Sequence, residues 1–259
     1  MMMIPAEISK KRVVPLAATF AAVYGLLRLM PIFVMIGGSG RVFSTTEFAA
    51  PLLGIVLGPY VGSVAGVIGT FLGIMLTGRM NFFGLDFLPI MINAAILGPL
   101  MRRRRIPAIL LYSALIVLFF AHPSTLHFVS VSFLGGTVSI PFIWLHIITW
   151  ILLVSPLSMK SIEWISGPSE KKRVTAACIL SLIGTTAQQL TGTLLFASMA
   201  VPLMGMTPTT LDATWTAVFY TYPIERLAII LPAATVVTAA VVKTVQSTRL
   251  FQTPAGVKI

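Results

Sequence analysis

The sequence predicts an all-α integral membrane protein, a compact helical bundle of about eight membrane segments. Three observations carry the prediction. Of 259 residues, 57% are hydrophobic and 10% charged, which is too apolar for an ordinary soluble domain. The apolar residues fall into long runs divided by short loops rich in charge or in Gly, Ser, Thr and Pro. The 18 basic residues, against 7 acidic ones, gather in a few of those loops, and cytoplasmic loops collect Lys and Arg. Residues 1–245 read as a single polytopic domain of the cell membrane and 246–259 as a cytoplasmic tail.

The first run, 13–36, follows Lys10, Lys11 and Arg12. It suffices to cross about 30 Å of hydrocarbon at about 1.5 Å per residue, and exceeds the core of a cleaved signal peptide, so it reads as a retained anchor. Further runs lie at 49–77, 86–101, 106–121, 138–158, 174–203 and 217–245. Cys178 is the one cysteine, which leaves neither an intramolecular disulfide nor a cysteine metal cluster, and it reads as packing.

Within 49–77, glycines recur at 54, 58, 62 and 66 and again at 69 and 73, with Pro59 among them. One uninterrupted span here would leave the run Arg102 to Arg105 outside the membrane, against the positive-inside rule. A reversal at Gly58-Pro59 restores parity, because proline lacks the donor that continues a helix and glycine tolerates the φ of a tight turn. Arg102 to Arg105, Lys160, Lys171 to Arg173, Lys243, Arg249 and Lys258 then join the N-terminal trio inside, 14 of the 18 basic residues. Both termini are cytoplasmic in this arrangement. The arginine run is a topology anchor at the headgroups, with no case for nucleic acid. The remaining glycines permit close helix packing or approach to a ligand.

Three stretches together, "PLAATFAAVYGLLR", "PLLGIVLGPYVGSVAGVIGTFLG" and "YPIERLAIILPAATVVTAAVVKTV", resemble the S component of energy-coupling factor (ECF) transporters. The resemblance implies a six-helix core that captures a vitamin or related micronutrient from outside. A coupling membrane protein and separate ABC-type ATPases would drive release. Against that core the chain carries two surplus runs, 106–121 and 138–158, an apparent extra hairpin. No "GK" followed by Ser or Thr occurs, so an ATP-driven step belongs to other subunits. No cofactor or metal is expected.

On the first helix Ala17, Ala21 and Gly25 recur four apart, flanked by Ala18 and Ala22, making one face nearly smooth. The resemblance makes Ala17/Ala21 or Ala18/Ala22 the pair that docks the coupling protein; the same face equally suits a helix of this chain.

Arg28, Arg41, Arg79 and Arg226 fall on the outer side with Glu47, Asp86, Asp212 and Glu225. Ionisable groups near spans are costly unless paired or wet, which makes them functional candidates. The substrate-binding candidates are Arg28, Asp86, Gln188, Gln189 and Glu225, beneath the loop 37–48. Arg28 suits a carboxylate or phosphate, or else snorkels to the interface. Gln188 and Gln189 suit an amide or heterocycle, or bridge helices; as neighbours about 100° apart, one is expected at the ligand and one at a helix. Asn93 and His146 are weaker candidates. Glu225 and Arg226 diverge from the helix and are not expected to pair. Trp215, Tyr220 and Tyr222 read first as an interfacial belt, second as stacking surfaces.

The rival classes are a stand-alone channel or structural membrane protein and, less favoured, an intramembrane enzyme using His122, His127 and His146 with Asp86 or Glu47. His122 and His127 are five apart, without the i, i+4 spacing of a helical metal pair or a local carboxylate. The chain is expected not to be an enzyme.

Overall fold

The structure is a computed structural model that describes residues 10–34, 42–133 and 136–247. In chain order the elements are α1 (Lys10–Leu27), β1 (Pro31–Val34), β2 (Val42–Ser44), α2 (Thr46–Leu52) continued by a π-helical turn (Leu53–Leu57), α3 (Gly58–Thr77), α4 (Phe87–Met101) and α5 (Arg105–Ala121). Then follow β3 (Phe128–Phe133), β4 (Gly136–Pro141), α6 (Trp144–Val154), α7 (Pro156–Ser166), α8 (Glu170–Ala200) and α9 (Pro208–Ile224), with a second π-helical turn (Glu225–Ile230) leading into α10 (Leu231–Ser247).

By length and apolarity, two continuous helical stretches suffice to cross a membrane, Thr46–Thr77 and Pro208–Ser247, and a third does if the bent pair α6 and α7 counts as one. Large apolar side chains such as Val64, Met75, Leu110, Val117, Ile151 and Val236 face outward, a surface that lipid covers at no cost. The chain is a predominantly helical membrane protein.

The stretch Thr46–Thr77 is not straight. Gly58 adopts φ +80°, and a Cβ on Gly62 would collide with the Leu53 carbonyl oxygen, nine residues earlier in sequence. Along one straight helix those groups would stand about 13 Å apart. The chain therefore turns sharply at Gly58-Pro59, where the charge parity expects a reversal. Each glycine of α3 then has a specific neighbour. Gly62 and Gly66 sit against Leu53, Ala94 and Ile90, whereas Gly69 and Gly73 sit against Ala21 and Tyr24 of the first helix and Arg28 just past its end. A side chain at Gly62 or Gly69 would push two backbones apart, and one at Gly66 or Gly73 would displace Ile90 or Arg28, so the glycine series builds a three-layer seam of α1, α3 and the α2–α4 pair.

Helix α8 is the axle of the bundle, packing against α4, α5, α6, α7 and α10. Leu180, Ile183, Ala187 and Leu190 are fully buried, and so are the hydroxyls around them. Thr185 donates to Ser181 O and Thr186 to Leu182 O, both at 2.7 Å, and Tyr112 of α5 donates to Thr186 Oγ1 at 2.9 Å. In a medium without water these bonds leave the hydroxyls no unmet need.

The helices run between two ends. At one end Gly58 lies against Arg102, Arg103 pairs with Glu163 at 3.2 Å, and Arg105 donates to Val154 O. Lys243 meets Glu170 there at 3.5 Å and Gln246 donates to Ile165 O. At the other end Asn81 donates to Val42 O, Trp215 Nε1 donates to Ser124 O, and Ser198 meets His122. The loops assigned to the cytoplasm by charge thus share one end.

Two apolar runs divide differently from expectation. Run 13–36 is helical only to Leu27: Pro31 disfavours helix in the residue before it, and Thr45 caps the end by donating to Leu27 O and, through its N–H, to Met30 O. Run 138–158 is not one span. Its first residues form β4, paired antiparallel to β3 with Val129 opposite Ile140 and Val131 opposite Val138. The alternation in "FVSVSF" and "GTVSI" carried that signal. The helix that follows breaks at Ser155-Pro156, where Ser155 Oγ accepts from Leu157 N and the axis bends by 72°.

Candidate functional site

A cavity of about 100 Å³ lies at the end of the bundle opposite the arginine run. Tyr24 and Arg28 border it from α1 and the turn beyond, Val42 to Ser44 from β2, Thr46 and Glu47 from α2, and Asn81, Phe82 and Asp86 from the α3–α4 loop. The opposite wall comes from α8, through Gln188, Gln189, Gly192, Thr193 and Phe196, and from Trp215 to Arg226. The five α8 positions span an arc of about 140°, so the cavity wraps that helix. This is why Gln188 and Gln189 both border it.

The structure brings all five predicted residues to this cavity, yet it treats them unequally. Arg28 donates to Asp86 Oδ1 and to Arg79 O, and Asp86 also accepts from Asn81 N at 2.8 Å and Phe82 N at 2.9 Å. Arg28 lies in the turn just past α1 rather than within a span, and its charge is already matched. Asp86 staples the α3–α4 loop to the end of the first helix.

Glu47 and Arg226, which the sequence placed on the outer side without a role, form the second pair. Arg226 Nη1 donates to Glu47 Oε2 at 2.7 Å, with the Arg226 side chain 1% exposed and lying over the Phe43 ring. Gln188 Nε2 donates to Glu47 Oε1 at 2.8 Å, and Asn93 Nδ2 donates to Gln188 Oε1 at 2.9 Å. The chain Asn93–Gln188–Glu47–Arg226 thus links α4, α8, α2 and the second π-helical turn. Residues 47 and 226 lie 179 apart in sequence. A reader of one sequence sees two ionisable groups in apolar surroundings and has no means of joining them.

Gln189 and Glu225 differ. Gln189 Oε1 is buried without a hydrogen-bond partner, and Glu225 has no hydrogen bond or salt bridge among the described residues. Glu225 does not pair with Arg226, as expected. The wider π-helical turn at Glu225 departs from the regular ladder where the side chains enter the cavity, a common place for such turns.

Of the other candidates, Trp215 borders the cavity and the rest fall elsewhere. Trp215 and Tyr222 are buried, Trp215 packing edge-on to Phe142 and Phe196 and Tyr222 donating to Phe142 O; of the proposed belt only Tyr220 is exposed. Arg41 and the first part of loop 37–48, residues 37–41, lie outside the described residues; the remainder forms β2, a turn at Thr45 and the start of α2. His122 bonds Ser124 N and Ser198, His146 is buried in α6, and among the described residues no group of His, Cys, Asp and Glu suits a metal ion. On α1, Ala21 and Gly25 are buried against Gly69 and Gly73, whereas Ala18 and Ala22 face outward with Val14, Val23 and Leu26, and Ala17 sits between.

Comparison of the chain with protein-family models, with curated proteins and with solved structures finds no match.

Proposed function

We propose that this protein is the substrate-capturing subunit of an ECF-type uptake system, binding a vitamin or related micronutrient in the cavity beside α8. It crosses the plasma membrane eight times, through α1, α2 with its π-helical turn, α3, α4, α5, α6, α8 and the α9–α10 stretch, with both termini cytoplasmic and α7 at the inner surface. The observation that carries the reading is the convergence of Arg28, Asp86, Gln188, Gln189 and Glu225, chosen for chemistry from both ends of the chain, on one cavity at the end away from the arginine run. Enclosed, mostly apolar pockets with a few convergent polar groups are where small ligands bind. The outward pair Ala18/Ala22 is the face for a coupling protein, since Ala21 and Gly25 are occupied within the chain.

Affinity purification from native membranes is expected to recover a coupling membrane protein and ABC-type ATPases. Their reproducible absence, with autonomous transport in liposomes, would favour a channel or stand-alone carrier. An Arg103→Cys variant is expected to resist impermeant thiol reagents in intact cells; labelling there would refute the eight-span topology.

A further inference from the structure

The charge balance of the cavity narrows the chemistry of its occupant. Five ionisable side chains of Arg, Asp and Glu type border it. Arg28 is matched by Asp86 and Arg226 by Glu47, each within one ion pair. Glu225 remains, giving the lining a formal charge of −1; the cation whose field reaches it, Arg226, is already in an ion pair with Glu47. A carboxylate facing a low-dielectric cavity either takes up a proton or gains a cationic partner, because the unpaired charge is costly there.

The neutral acceptor beside it has the same polarity. The buried Gln189 Oε1 accepts nothing, and an acceptor of this kind is met only by an N–H or O–H donor. The other carboxamides bordering it are engaged: Gln188 is bonded through both its oxygen and its nitrogen, and Asn81 donates to Val42 O. The rings of Phe82, Phe196 and Trp215 complete the lining, and aromatic faces attract cations as well as apolar rings. A free anion site would need a cation in excess of the acids, and each arginine here is held by a carboxylate, with Arg226 Nε alone left without a hydrogen bond.

We infer that the cavity takes a small organic monocation bearing N–H donors on an aromatic or heterocyclic ring, with Glu225 as its counter-charge and Gln189 as its acceptor. The inference rests on reading the cavity as a capture site, and adds to it the charge of what is captured. Selectivity is thereby set by the α8–α9 wall, while the two ion pairs hold the walls in place.

Three probes of one shape and three charges test it: benzamidinium, benzamide and benzoate, titrated at constant ionic strength against the purified full-length chain in detergent with thermal unfolding as readout. Benzamidinium is expected to stabilise most, benzamide less and benzoate least. In Glu225→Gln the benzamidinium affinity should fall about 10- to 100-fold, the range for losing a hydrogen bond to a charged group, and the ranking over benzamide should vanish. The wild-type ranking stands as evidence even if that variant fails to fold. Benzoate ranking first, no response to any of the three probes, or full benzamidinium preference in a folded Glu225→Gln would overturn the inference. Stabilisation by sodium chloride to which benzamidinium adds nothing would assign an inorganic ion and overturn it too. A benzoate-preferring chain that still recovers ATPases would sink the cation and leave the capture reading intact; benzamidinium preference without such partners would do the reverse.

Discussion

The two walls of the cavity are built on opposite principles. Along α2 and the α3–α4 loop, every acid has a basic partner: Glu47 holds Arg226 and Gln188, and Asp86 holds Arg28 and two backbone N–H groups. Along α8 and the second π-helical turn, Gln188 and Arg226 belong to that network, whereas Gln189 Oε1 has no hydrogen-bond partner and Glu225 has no hydrogen bond or salt bridge among the described residues. A buried polar group that is fully bonded rigidifies its surroundings, while one left unmet costs stability unless something else binds it. The first wall is therefore expected to matter for folding and the second for recognition.

The largest test of that division is Glu47→Ala. It strands the buried Arg226 charge and the Gln188 amide, with an expected loss of about 3–5 kcal/mol, read as thermal unfolding in detergent. Replacing both partners, Glu47→Leu with Arg226→Met, should recover much of the loss, because an apolar pair avoids the desolvation penalty. A single variant as stable as the wild type would mean that the pair does not hold the wall.

Next comes the pair of glutamines. Gln188→Leu removes the bridge between Asn93 and Glu47 and should cost about 1–3 kcal/mol, the range for leaving buried groups unsatisfied. Gln189→Leu touches no bond and should change stability by less than about 0.5 kcal/mol while weakening ligand binding. Equal effects of the two on unfolding would erase the distinction between the walls.

The smallest effect on stability is expected outside the cavity. Ala22→Trp, on the outward face of α1, should unfold like the wild type yet fail to assemble with the coupling protein, measured by co-purification. Ala21→Trp should instead disturb folding, since Ala21 lies against Gly69. Normal assembly of Ala22→Trp would move docking to another face.

What the residues alone could tell and what they could not follow the range of the forces involved. Composition, the apolar runs and the parity of basic loops are local or additive properties, so the membrane class, the helical bundle, a turn at Gly58-Pro59 and the grouping of charged loops at one end were legible. The list Arg28, Asp86, Gln188, Gln189 and Glu225 was legible for a related reason: a polar group in an apolar segment is conspicuous wherever its partner sits. Partnership was not legible. That Glu47 meets Arg226, that Arg28 is neutralised by Asp86, and that Ala21 is covered while Ala22 is not depend on which helices lie side by side, and on the hand in which α1 and α3 close along their small-residue seam. Strand pairing in β3–β4 and the bend at Ser155-Pro156 had local signals that an apolar run concealed, because hydropathy averaged over a long window erases a period of two. Tertiary packing alone decided which polar groups spend their hydrogen bonds within the protein and which keep them for something else, since that choice is made by atoms up to 179 residues apart meeting where no water can substitute.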